Sequence, residues 1–200
     1  MLHLAFLIAA ASVYGLPHGT PPICLAPPSA QFASTDATQA SAAVNDLFTS
    51  YLAGPTLSVV QLTARLPSQA RLEARQANCS LILFVTAKLG RRKSGGMLGQ
   101  IAGRAAQEGV VSAGFDAARI GNGVTAAAAR VAARAAADIA ATTKAHDEME
   151  LSYRLELDSG AVLKEAKAKR RAAADGEDLL TPLVEHAAEE IAAVVTNGGR

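Results

Sequence analysis

Between residues 97 and 143 the chain is rich in glycine and alanine, and the segments on either side of that stretch read as β-strands. Before it, residues 80–88 (Ser-Leu-Ile-Leu-Phe-Val-Thr-Ala-Lys) form a nearly continuous apolar run of strand length, the pattern of a central strand covered on both faces. After it, Met149, Leu151, Tyr153, Leu155 and Leu157 alternate with Glu148, Glu150, Ser152, Arg154 and Glu156. A period of two marks a strand with one buried and one wet face. The Gly/Ala stretch is therefore expected to be a helical insert in one strand-to-strand connection of a sheet.

The flanking elements follow from local signals. Thr35 or Asp36 can cap a helix whose Ala40, Val44, Leu47, Phe48, Tyr51 and Leu52 recur at helical spacing, and Gly54-Pro55 stops it. Residues 57–64 read as a short strand, and Pro67 and Ser68 open a polar helix that ends at Asn78. Asp158-Ser159-Gly160 is a hairpin turn, and residues 161–169 return as a partner strand. Lys164, Lys167 and Lys169 suit that strand to an edge. Leu179, Leu180, Leu183, Val184, Ala187, Ile191 and Val194 form the apolar stripe of a C-terminal helix, with Pro182 near its first turn. The expected fold is α+β, in the manner of an α/β sandwich: one mixed sheet of about four strands with helices packed on it. A single domain spans residues 35–196, interrupted by a Gly/Ala-rich helical hairpin at 97–143.

The N-terminus bears on the compartment. Residues 4–13 are an apolar run, broken only by Ser12 and too short to span a bilayer, and Val13-Tyr14-Gly15 offers small residues at cleavage-type positions. Residues 1–15 read as a secretory signal peptide, the alternative being a buried N-terminal strand or helix. Pro17, Pro21, Pro22, Pro27 and Pro28 make residues 16–34 an extended leader, with the folded domain starting after it. Cys24 follows Pro21-Pro22-Ile23 and not the small residues a lipidation signal requires. In an oxidising compartment Cys24 and Cys79 are a candidate disulfide; otherwise Cys79 is a small buried hydrophobe and Cys24 a free thiol.

Residues 78–86 (Asn-Cys-Ser-Leu-Ile-Leu-Phe-Val-Thr) and the strand, Asp-Ser-Gly turn and return strand of residues 150–163 resemble a bacterial envelope domain. It is the small α/β domain of the curli secretion-channel protein and of the N-terminal part of the Tol-Pal propeller protein. The likeness covers residues 57–88 and 147–195 and leaves out the insert. It implies an exported, non-enzymatic envelope component that acts by assembly or docking. Barrel formation, which the curli channel achieves through inserted hairpins, is not implied, because this insert lacks an alternating pattern.

Within the insert, Gly99 and Gly103 on a first helix form a small-residue packing face, together with Gly121 and Gly123 at the joint before an Ala-rich second helix over residues 124–142. Arg104, Glu108, Asp116, Arg119, Arg130, Arg134 and Asp138 leave no apolar stretch of about 18 residues, so a membrane span is not expected. A close-packed hairpin, against its own domain or a second copy, and contact with a membrane surface are the readings that stay open.

Chemistry is sparse. The run from Gly121 to Ala126 has the form G-x-G-x-x-A but no strand precedes it, and Lys93-Ser94 lacks the glycine spacing of a phosphate loop. His146-Asp147-Glu148 is placed to supply turn and cap groups. His186 and Glu190 share a helix side without a third metal ligand. No nucleophile stands beside a base, so no catalytic residue, cofactor or metal is expected. A net charge of +1 gives no footprint for nucleic acid. The expectation is a non-catalytic exported protein, periplasmic or outer-membrane-associated, that assembles with itself or an envelope protein partner; the alternative is a periplasmic module for a peptide or small ligand.

Overall fold

The computed structural model describes residues 22–32, 36–54, 57–91 and 126–197. The expected signal peptide and Gly99, Gly103, Gly121 and Gly123 lie outside the described residues.

The elements run β1 (Ile23–Leu25), β2 (Ser29–Phe32), α1 (Ala37–Leu52), β3 (Val59–Gln61), α2 (Pro67–Gln76), β4 (Leu81–Gly90), α3 (Ala126–Thr142), β5 (Glu148–Leu157), β6 (Val162–Arg171) and α4 (Leu180–Asn197). The strands form one six-stranded mixed sheet in the order β3-β1-β4-β5-β6, with β2 also on β4. Pairing is parallel among β1, β2, β3 and β4 and antiparallel along β4-β5-β6. The α+β class matches the expectation, with six strands in place of about four.

The extra strands lie where an extended leader was expected, and that expectation is corrected. Proline fixes only its own φ and removes only its own N–H. Pro22 precedes β1 and Pro27-Pro28 fall between β1 and β2, so Ile23, Cys24 and Leu25 keep their ladder positions and are fully buried. Burying Ile23 and Leu25 contributes about 1.5–3 kcal/mol each. The break also shifts the register: Leu25 pairs with Leu83 and Ser29 with Thr86, so four steps on one lane match three on the next. One extra residue exchanges the faces. Odd residues Ile23 and Leu25 meet the core in β1, and even residues Ala30 and Phe32 do so in β2.

Local chemistry sets the helix ends. The Asp36 carboxylate accepts from Thr38 N at 2.8 Å and Gln39 N at 3.2 Å, capping α1. Pro67 opens α2, and Asn78, at φ 55°, takes the left-handed position that ends it.

Helices α1, α3 and α4 cover one sheet face. Val44, Leu47 and Phe48 of α1, Ala136 and Ile139 of α3, and Leu180, Val184 and Ile191 of α4 pack on Leu83, Val85, Met149, Leu151 and Leu155. The far end of the expected insert is thus part of the core: α3 lies against α1, and Ala136, Ile139, Ala140 and Thr143 are buried. Helix α2 lies on the opposite face. There Ala70 and Ala74 cover Cys24, Ala26, Leu62, Cys79 and Ile82 in a second, smaller core. A disulfide joins Cys24 to Cys79, with Cα atoms 5.7 Å apart. Among the described residues, no helix is long and apolar enough to cross a membrane.

Candidate functional site

Among the described residues, the strand β4 is covered on both faces only at its start. Beyond Ile82, the face that carries α2 is left to Phe84, Thr86 and Lys88, of which Lys88 is exposed. The registers align these residues across the sheet. Phe84 stands beside Arg154 and Glu165; Ser29, Thr86, Ser152 and Lys167 form the next row; Gln31, Lys88, Glu150 and Lys169 form the third. Side chains at paired positions share a face. The open face is therefore banded, with a row of short hydroxyl side chains between two rows of long ones.

The third row is an ion-pair ladder. Glu150 meets Lys167 at 2.7 Å and Lys169 at 3.2 Å, and Lys169 also reaches Glu148 at 3.2 Å. Hydrogen bonds from Lys167 and Lys169 hold the Glu150 carboxyl below the ordinary carboxylate range, and bonds to Glu150 and Glu148 raise Lys169. Pairs with lysines this exposed contribute little to stability.

At the α2 end the face closes on a buried charge. Glu156 pairs with Ile82 in the sheet, so α2 covers both, and the Glu156 side chain is 1% exposed. Its Oε2 accepts from Arg71 of α2, Nη2 at 2.8 Å and Nε at 3.2 Å. Its Oε1 lies 2.8 Å from Arg154 Nε. The Arg154 guanidinium also sits 5.6 Å from the centre of the Phe84 ring. The register between β5 and β6 shifts here, with Leu163 of β6 as the extra residue, and Gly160, at φ 91°, lets the hairpin turn pass Arg71; a Cβ there would lie 3.4 Å from the guanidinium. One buried carboxylate thus fixes two partly exposed guanidiniums from different elements. No local pattern announces it, since Glu156 occupies an ordinary wet position of the alternation and Arg71 a polar helix.

The residues nominated from the sequence are placed elsewhere. Asp147 is buried and accepts from Lys144 N at 2.9 Å, while His146 adopts φ 73°, so that segment forms a turn. His186 is exposed on α4. Glu190 instead accepts the Tyr153 hydroxyl at 2.6 Å and Lys164 Nζ at 3.5 Å. The Tyr153 bond lowers the Glu190 carboxyl; burial, then that bond, raises the Tyr153 phenol. Among the described residues no group of His, Cys, Asp and Glu is arranged to hold a metal ion. The open face thus combines hydroxyl side chains with paired charges.

No family model matches the chain, and no curated protein matches it. Among solved structures it is similar to the PelC dodecamer from Paraburkholderia phytofirmans, at 15% identity and TM-score 0.42, covering 90% of this chain and 89% of that one. It is also similar to a neuraminyllactose-binding hemagglutinin homologue from Helicobacter pylori, at 10% identity and TM-score 0.35, covering 98% and 90%. Likenesses this loose carry no argument about function or assembly.

Proposed function

We propose that the protein is a non-catalytic, exported component of the cell envelope that acts as an assembly or docking scaffold, with the Gly/Ala-rich insert as its self-association or membrane-contact element. The observation that carries this reading is the asymmetry of the sheet. Three helices seal one face, whereas among the described residues the other, beyond α2, presents a banded polar surface that carries the Glu156–Arg154 and Glu150–Lys167 ion pairs. The buried Cys24–Cys79 disulfide supports export, because such bonds form and persist in oxidising compartments. Light scattering after size-exclusion chromatography, on the mature chain and on a variant lacking residues 97–120, tests the assembly role. The deletion stops short of α3, which the core requires. Higher-order species that disappear on deletion support the role; monomers in both sink it.

A second reading, a periplasmic binding module for a peptide or small ligand, is favoured by one observation. Arg71 and Arg154 share a single carboxylate beside a row of hydroxyls.

A further inference from the structure

We propose that the Cys24–Cys79 disulfide is a thiol-exchange site gated by α2, which opens from the folded domain as a local unit and admits a dithiol reductant. Cys24 is fully buried and Cys79 is 3% exposed, so a reductant reaches the sulfurs only after something moves. The two ends of the bond are held differently. Cys24 lies in β1, between β3 and β4 in the sheet. Cys79 follows α2, and its amide donates to the Ala74 carbonyl of that helix at 2.9 Å. Release of α2 therefore loosens Cys79 and leaves Cys24 anchored.

The cover is weak where the opposite face is strong. Helix α2 buries only Ala70 and Ala74, side chains that remove little apolar surface from water. Leu66, which precedes it, and Leu72 are 58% and 59% exposed. The main core on the other face holds Leu47, Phe48, Leu180 and Ile191 fully buried. Polar contacts fasten α2 instead. Glu73 accepts from the Thr63 amide at 3.0 Å and the Ala64 amide at 2.8 Å, Arg71 reaches Glu156, and Arg75 donates to the Asp158 carbonyl at 3.1 Å. Water can replace the contacts at the exposed groups, and Glu156 keeps Arg154 when Arg71 leaves. Few buried apolar contacts and exposed hydrogen bonds mark a segment that opens before the domain unfolds. At ten residues, α2 is too short to persist as a helix once off the sheet, so lifting and unravelling are one event.

The exchange itself is balanced. A thiolate of the reductant bonds to one protein sulfur as the S–S bond breaks, and the other protein sulfur leaves as a thiolate and takes up a proton. The second thiol of the reductant then displaces the first protein sulfur from the mixed disulfide. Two electrons and two protons have passed to Cys24 and Cys79, and the reductant departs as its own disulfide.

The test is the rate at which dithiothreitol reduces the folded, oxidised chain in mildly alkaline buffer, read by mass spectrometry after alkylation of the freed cysteines with iodoacetamide. Leu72→Gly, at an exposed position, acts on α2 through helix propensity alone and should speed reduction about threefold to fivefold. Ile139→Ala weakens the main core and should leave the rate within about twofold, because a local opening does not break that core. In the unsubstituted chain the rate should rise only shallowly with urea below the unfolding transition, since little surface is exposed. Acceleration by about thirtyfold or more in Ile139→Ala, or a urea dependence as steep as that of global unfolding, shows that the sulfurs are reached only by global unfolding and overturns the gate. So does a rate that Leu72→Gly leaves unchanged, or the absence of reduction below the transition. The urea series needs no variant, so it decides the matter even if Ile139→Ala does not fold.

Discussion

Arg71 and Glu156, 85 residues apart in the chain, meet at 2.8 Å beneath α2. Because Glu156 is buried and also faces Arg154, its charge is tied to both helix and sheet. Breaking a buried pair by removing one partner costs about 3–5 kcal/mol, but both arginines here are a third or more exposed, which reduces the cost. We expect Glu156→Gln to destabilise by about 1–3 kcal/mol in urea unfolding. Arg71→Met should cost less on the Glu156→Gln background than alone. Strict additivity would show that the pair is not coupled.

The disulfide closes a separation of 55 residues and ties β1 to Cys79, two residues before β4. On the chain-entropy account a loop of that length contributes about 4 kcal/mol. Cys24→Ala with Cys79→Ala, or reduction, should therefore lower the thermal midpoint by roughly 8–16 °C for a domain of this size. Equal midpoints with and without reductant would count against the bond.

Tyr153 and Glu190 join the sheet to α4 across a 2.6 Å hydrogen bond. The folded state holds the Glu190 carboxyl below its ordinary value of 4.5. Its contribution is therefore present above that value and is lost as the pH falls through the lowered one. The Tyr153 phenol is raised, so its contribution is present below its ordinary value of 10.0 and is lost only in alkali. Tyr153→Phe should cost about 1 kcal/mol at neutral pH and flatten the loss of stability on the acid side. Urea midpoints measured from about pH 7 to pH 3 read both effects; parallel profiles for the two proteins would refute the assignment.

Much of the fold was legible because its signals are local. Alternation marked β5, an Asp-Ser-Gly turn with Gly160 at positive φ marked the hairpin, and Asp36 marked the start of α1. What was illegible is non-local or depends on what a residue leaves intact. Five prolines disguised β1 and β2, although none of them lies within either strand. Alanine richness marked α3 as a helix and left open whether it packs on its own domain; its small side chains allow the close approach to α1 that the structure shows. Glu156 was invisible as a site, because its burial is imposed by α2, a helix far away in sequence.

The place of α3 carries the last prediction. Ile139 is 2% exposed and packs in the main core, whereas Ala137, two positions earlier on the same helix, is exposed. If α3 were part of an excursion independent of the sheet, neither position would matter to global unfolding. Packed as it is, Ile139→Ala removes buried methyl and methylene groups and leaves a cavity among α1, α4 and the sheet, at a cost of about 2–4 kcal/mol. Ala137→Ser changes only helix propensity and should stay within about 0.5 kcal/mol. Urea unfolding of the two variants decides the matter, since equal midpoints would detach α3 from the core. The same comparison fixes where an insert deletion must end: a cut that removes Ile139 should unfold the domain and leave its loss of assembly uninterpretable, whereas one ending before Ala126 keeps the core for the light-scattering test.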